Sequence, residues 1–418
     1  MNLKLRLILL SFLQFFVWGA WLITIGVYWF GNKHWGGQQF GAIFLTLGLS
    51  SIIMPTLTGI IADRWLNAEK LYGILQIGYG ITLCFLPLVN DPNTFFWVML
   101  VAMIFYMPTI SLSNSIAYRI LKDREFDVVK VFPPIRVWGT IGFIVAMWVT
   151  NLTGNKASAN QFYIAAAVAI LLGIYAFTLP KCKPQNLTGN SKSIVNLLGL
   201  NAFKLFGNYK MALFFLFSMF LGAALQLTNM YGDVYLSDFE KVPKYADSLV
   251  VKYSTIIMSI SQISETLFIL AIPFFLRKFG IKMVMLISMF AWVLRFGLFA
   301  FGDPSEGLWM IIVSCIVYGM AFDFFNVSGS LFIETTTDNK IRSSAQGLFM
   351  MMTNGFGAVL GSWASGYLLQ KYFTLENGDK MWHEIWLSFS GYALVIAILF
   401  AIFFKHKHES GAIKNLSH

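Results

Sequence analysis

Residues 7–30 read LILLSFLQFFVWGAWLITIGVYWF, an unbroken run without a single charged side chain. A helix rising 1.5 Å per residue needs about 20 apolar residues to cross roughly 30 Å of hydrocarbon, so this run is long enough to span a bilayer. Lys4 and Arg6 precede it, as basic residues precede a secretion signal. The apolar part of such a signal is only about 7–15 residues long, and no small-residue cleavage site follows here. The run reads as a first, uncleaved transmembrane helix.

Eleven further runs of this kind follow, giving twelve expected spans at 7–30, 40–62, 71–90, 95–118, 134–152, 161–180, 211–232, 253–276, 282–301, 307–334, 343–370 and 384–404. Composition agrees: 57% of the 418 residues are apolar and only 12% charged, against roughly 25% charged in an average soluble domain. A soluble fold would have to expose apolar patches larger than soluble monomers tolerate. A soluble globular protein, a disordered chain and a secreted disulfide scaffold are thereby excluded. The expectation is an all-α, multi-pass membrane protein whose first partner is the lipid bilayer. The net charge of +10 is carried between the apolar runs rather than on one soluble face, so no nucleic-acid partner is expected. Cys84, Cys182 and Cys315 lie too far apart in sequence to suggest a disulfide framework or a metal site. There is no phosphate-binding G-x-x-x-x-G-K-[ST] loop, no nucleophile–base spacing and no histidine well inside a run. No enzyme, no cofactor and no metal is expected, and uphill transport would draw on an ion gradient handled by carboxylates.

Lys and Arg bias orients such a chain, because cytoplasmic segments carry the excess. With the N-terminus inside, 21 of the 30 Lys and Arg fall on the inner side and 7 on the outer, leaving Arg136 and Arg295 within spans. Both termini are expected in the cytoplasm, as an even number of spans requires. The longest polar interruption divides the chain into 1–180, a central cytoplasmic loop 181–209, 210–405 and a cytoplasmic tail 406–418. Two six-helix bundles joined in this way resemble the layout of a major facilitator transporter, in which the substrate site lies near the midplane. Gly59-Ile60-Ile61-Ala62-Asp63-Arg64-Trp65, between the second and third spans, resembles that superfamily's G-x-x-x-D-R motif. The matching place in the second half, Pro273 to Gly280, keeps the basic pair Arg277-Lys278 but lacks the acid.

An ionisable group at the centre of a membrane helix costs about 2.5–3.5 kcal/mol on insertion scales, so each one calls for a reason. Glu265 and Asp323 both lie at least two turns from the expected ends of their spans. Residues three or four apart share a helix face. Gln226 with Asn229, Gln262 with Glu265, and Asp323 with Asn326 are i, i+3 pairs, while Tyr318 and Phe322 are an i, i+4 pair on the tenth span. Amides and acids suit hydroxyl groups and rings suit a flat apolar plane; the alternative for the amides is interhelical glue. Arg136 shares a face with Thr140 and Phe143, although its depth also allows it to reach cytoplasmic headgroups. Arg295, about two turns before Asp303, is expected to pair or to reach outward. Gly357, Gly361, Ala364, Ser365 and Gly366 form a small-residue stripe suited to close helix packing, with Asn354 as a weaker cavity candidate.

With these residues in hand, Phe132-Pro133-Pro134-Ile135-Arg136-Val137-Trp138-Gly139-Thr140-Ile141-Gly142-Phe143 resembles the fifth-helix signature of the bacterial nucleoside:proton symporters, a branch of the major facilitator superfamily. So do Ile257 to Phe268, Ala321 to Asn326, Gln346-Gly347 and Met351 to Gly357. The resemblance runs from the first span to the last. It implies a substrate site of Arg136, Thr140, Phe143, Gln226, Asn229, Gln262, Glu265, Tyr318, Phe322 and Asp323. It also implies nucleosides such as uridine and adenosine as cargo, protons carried by Asp323 or Glu265, and a bacterial inner membrane. A monomer is expected. Two other readings stay open from the residues themselves: a sugar or oligosaccharide symporter on the same scaffold, and a non-transporting membrane sensor, against which the short tail counts.

Overall fold

In hydrocarbon every backbone N–H and C=O must find its partner within the protein, and a helix satisfies nearly all of them locally. The computed structural model describes residues 2–184, 200–338 and 341–406, and these are helical almost throughout. The chain divides into two compact units, Met1–Leu198 and Gly199–His418. The first holds α1 (Leu3–Gly19), α2 (Gly37–Arg64), α3 (Ala68–Phe85), α4 (Pro92–Asp123), α5 (Val128–Leu152) and α6 (Asn160–Ala176). The second holds α7 (Tyr209–Asp238), α8 (Ser254–Phe301), α9 (Leu308–Thr336), α10 (Arg342–Met350), α11 (Ala358–Tyr372) and α12 (Trp382–Phe403). Among the described residues, eight helices are long and apolar enough to cross a membrane, and α6, also apolar, is shorter.

Small residues let membrane helices approach backbone to backbone, and they mark the seams here. In the first unit α1 meets α5 at Gly19 and Gly142, and α3 meets α6 at Gly73, Gly80 and Gly173. In the second, Gly222 of α7 meets Thr353, Gly357 lies against Met219 and Gly361 against Ala223. Gly319 of α9 abuts Ser264 of α8, whose hydroxyl donates to the Ile316 carbonyl.

Several expected spans depart from one straight helix. The run 7–30 is broken after Gly19 by a turn over 20–24, followed by the short helix Ile25–Val27 and a π-helical turn, Tyr28–Asn32. Partners distant in sequence make this break tolerable: Thr150 donates to the Ala20 carbonyl (3.0 Å), Thr24 to Gln161 Oε1 (2.8 Å) and Trp21 Nε1 to Tyr79 Oη (2.7 Å). The runs 253–276 and 282–301 follow each other without a gap in α8 but are two helical arms, separated by the non-helical Gly280, where φ is 75° and only glycine is at ease. The arms are folded back so that Arg295 Nη1 of the second reaches Ser261 Oγ of the first at 3.3 Å. The run 343–370 is α10, a π-helical turn (Met351–Gly357) and α11 in succession. Of the expected central loop 181–209, residues 185–199 lie outside the described residues, and Leu200–Gly207 is a 3-10 helix. Residues 407–418 of the expected tail also lie outside them.

Candidate functional site

In the first unit, the glycines of α5 decide where its polar residues sit. A Cβ at Gly142 would lie 2.1 Å from the Phe12 carbonyl oxygen, and one at Gly139 2.7 Å from the Phe15 ring, so α5 rests on α1 with no side chain between them. This brings the half-buried Arg136 guanidinium 4.0 Å from the Phe15 ring centroid, a cation–π stack. Phe143, one turn beyond Gly139, meets Trp18 edge to face at 6.3 Å. Thr140 lies half-buried between them in sequence. Gly59 at the end of α2 has open space around it, and Asp63 and Arg64 are exposed.

Behind Trp18 lies a polar network that sequence reasoning missed. Gln14, fully buried, accepts from Tyr72 Oη and from Gln76 Nε2 (2.7 Å) and donates to Thr109 Oγ1 (2.9 Å). Tyr106, which packs on Trp18 at 5.6 Å, donates to the Gln14 carbonyl at 2.9 Å. Gln14 and Gln76 stand in apolar runs but are uncharged, so the insertion-cost argument that singled out the two acids passes over them.

In the second unit, the candidate residues fall on α7, α8 and α9. Gln226 and Asp323 are buried, whereas Asn229, Gln262, Glu265 and Asn326 are half-buried. Tyr318 and Phe322 stack in parallel, centroids 6.0 Å apart at 10°, and Trp292 meets Tyr318 edge-on at 5.9 Å. Asp323 and Glu265 are close enough to interact electrostatically, and both act on Tyr318. Three acceptor atoms stand out among the described residues. Gln226 Oε1, Gln262 Oε1 and Asp323 Oδ2 are buried without a hydrogen-bond partner, although buried polar atoms are nearly always satisfied. All three belong to residues whose spacing marks a polar face. Asn354 is half-buried within the π-helical turn.

Arg295 corrects an expectation. It neither reaches outward nor pairs with Asp303; it is 0% exposed. Its Nη1 donates to the Ser314 carbonyl (2.7 Å) and Ser261 Oγ (3.3 Å), and its Nε to Thr228 Oγ1 (3.2 Å). Asp303 is occupied elsewhere, accepting from Ser305 N and Oγ (both 2.7 Å) and Gly307 N (3.1 Å). The Ser305 hydroxyl is the chief reason the Asp303 carboxyl lies below the usual carboxylate range. Asp233 was also missed: 1% exposed, it accepts from Thr255 Oγ1 at 3.1 Å. It lies one residue beyond the expected end of its span, so no search inside spans could reach it.

The chain has relatives along its whole length. A family model described as Nucleoside H+ symporter matches residues 1–409. The xanthosine permease of Escherichia coli K12 is 50% identical over 416 residues, covering 99% of each chain. The nucleoside permease NupG of the same strain is 51% identical over 409 residues, 98% of this chain and 97% of the relative. A crystal structure of nucleoside transporter NupG matches with a TM-score of 0.91 at 50% identity, covering 97% of this chain and 100% of that one.

Proposed function

Since this chain belongs to the Nucleoside H+ symporter family, we propose how its residues carry out proton-coupled nucleoside import. It is a multi-pass inner-membrane transporter and not an enzyme. In our reading the chain crosses the bilayer twelve times, as two six-helix bundles (1–180 and 210–405) joined by a cytoplasmic loop (181–209). Both termini, with the tail 406–418, face the cytoplasm and the protein acts as a monomer. Uridine and adenosine are the cargo we assign. Asp63 and Arg64, with Gly59, serve as a conformational motif at the end of α2.

The observation that carries the site assignment is the set of orphan acceptors on α7, α8 and α9. Gln226 Oε1, Gln262 Oε1 and Asp323 Oδ2 lack donors in the described residues, and ribose hydroxyls are donors of the right chemistry. Asn229 and Glu265 add capacity on the same faces. The Tyr318–Phe322 stack offers an aromatic plane for the base, with Phe143 as its counterpart in the first unit and Arg136 and Thr140 as polar donors. A carboxyl whose surroundings alternate between water and an apolar bundle changes its proton affinity with them. Asp323, or Glu265 beside it, thus loads a proton on one side and releases it on the other.

Radiolabelled uridine uptake into proteoliposomes under an imposed pH gradient tests this reading. Asp323→Asn is expected to lose concentrative uptake while still exchanging uridine down its gradient. Full, protonophore-sensitive accumulation by Asp323→Asn would remove Asp323 as the coupling group.

A further inference from the structure

We propose that Arg295 is a positioning residue for substrate affinity: one buried guanidinium fixes the three site-bearing helices of the second unit and sets the plane of the Tyr318 ring. This rests on the reading above, in which Tyr318 faces the nucleoside. Arg295 forms no ion pair with a carboxylate among the described residues and is fully buried. A buried charge without a counterion carries a large desolvation penalty, so an apolar residue of similar length would pack more cheaply. What the charge obtains in return lies in its contacts.

The guanidinium stands 4.6 Å from the Tyr318 ring centroid and 5.1 Å from that of Phe299. Tyr318 is thereby held by the cation, by the edge of Trp292 and by Phe322, so its ring has a fixed plane. The hydrogen bonds reach the same helices next to the candidate residues. Thr228 adjoins Asn229 on α7, Ser261 adjoins Gln262 on α8, and Ser314 lies one turn before Tyr318 on α9. The Ser314 hydroxyl also donates back to the Arg295 carbonyl at 2.8 Å. A planar, five-donor fork reaches three helices at once; a lysine ammonium is a single point on a flexible stem.

The test is a double-mutant cycle in full-length protein reconstituted in proteoliposomes, reading KM and maximal rate of uridine uptake separately. Arg295→Met is expected to raise KM about ten-fold, the order of a desolvated cation–π contact, with the maximal rate per inserted protein little changed. Arg295→Lys, which keeps the charge but not the fork, falls between Met and wild type. Tyr318→Leu raises KM too, and adding Arg295→Met to it raises KM by clearly less than the product of the two single effects, because much of the arginine's effect runs through the ring. An unchanged KM in Arg295→Met, or effects that multiply in the double variant, would overturn the proposal. Should Arg295→Met fail to insert, Arg295→Lys alone and combined with Tyr318→Leu carries the same comparison. Wild-type protein that ignores nucleosides would refute the cargo assignment instead. The cycle is then run on whichever free sugar or nucleobase the wild type does carry, with the same KM criterion.

Discussion

Gly142→Ala is the sharpest probe of how the first unit holds its share of the site. The added methyl would sit 2.1 Å from the Phe12 carbonyl oxygen, where ordinary contact begins at 3.4 Å. The shortfall is about 1.3 Å, and because the obstructing atom is backbone, no change of rotamer relieves it. Overpacking of this kind costs about 1–3 kcal/mol, and here it is relieved only by moving α5 away from α1. Arg136, Thr140 and Phe143 all ride on α5, so the stack on Phe15 and the edge contact with Trp18 move with it. Displacing reacting groups by ~1 Å costs an enzyme about 10²-fold; a binding site with fewer constraints should lose at least about ten-fold. We expect uridine uptake to fall by that factor and the unfolding midpoint in detergent to drop by several degrees. Gly31→Ala, with nothing within 4 Å of the new methyl, is the matched control and should behave as wild type. Wild-type KM and an unshifted midpoint in Gly142→Ala would refute the claim that this seam positions α5.

Two further predictions concern the ends of α7 and α12. Asp238 accepts from Trp382 Nε1 (3.0 Å) and Lys380 Nζ (3.4 Å); hydrogen bonds to a charged group are worth about 1.5–3 kcal/mol, so Asp238→Ala should lower the unfolding midpoint by several degrees, and no shift would contradict the pairing. Burial pushes Lys380 below its usual range, against the pull of Asp238. The folded state therefore releases this proton at lower pH than the unfolded chain, and between the two values the unfolded chain binds more protons, so stability rises with pH. The midpoint of wild type relative to Lys380→Met should climb as pH approaches 10.5, whereas a constant difference would show that Lys380 does not titrate differently on folding.

Apolar run length made the membrane class legible, because hydrocarbon thickness imposes it directly. The interruptions were not legible, because what permits them is tertiary. The turn after Gly19 relies on Thr150, Gln161 and Tyr79, each far away in sequence. Gly280 turns the chain between the two arms of α8 through its positive φ, and nothing in the flanking Phe279 and Ile281 announces it. For the candidate site, i, i+3 spacing pointed to Gln226, Gln262 and Asp323, whose acceptors are among the buried atoms left without donors in the described residues. Arg295 is a different case: it was expected to pair or to reach outward, but its partners are neutral hydroxyls, a carbonyl and a ring face on α7, the first arm of α8 and α9. Charge pairing is visible in sequence, whereas solvation of a cation by dipoles is not.

The π-helical turn Met351–Gly357 holds one residue more than an α-helical turn would need. Each α-helical residue advances the face by about 100°, so this surplus sets the angular phase of everything that follows. With it, Gly361 of α11 lies against Ala223 and Ser365 accepts from Tyr231 at 3.3 Å. Deleting any one residue of the turn would rotate that whole half-helix by more than a quarter revolution, presenting Trp363 and Tyr367 where the buried Ser362 and Gly366 now sit. Length, not just identity, is thus under constraint in this stretch, and a homologue lacking one position here would need a differently carved neighbour.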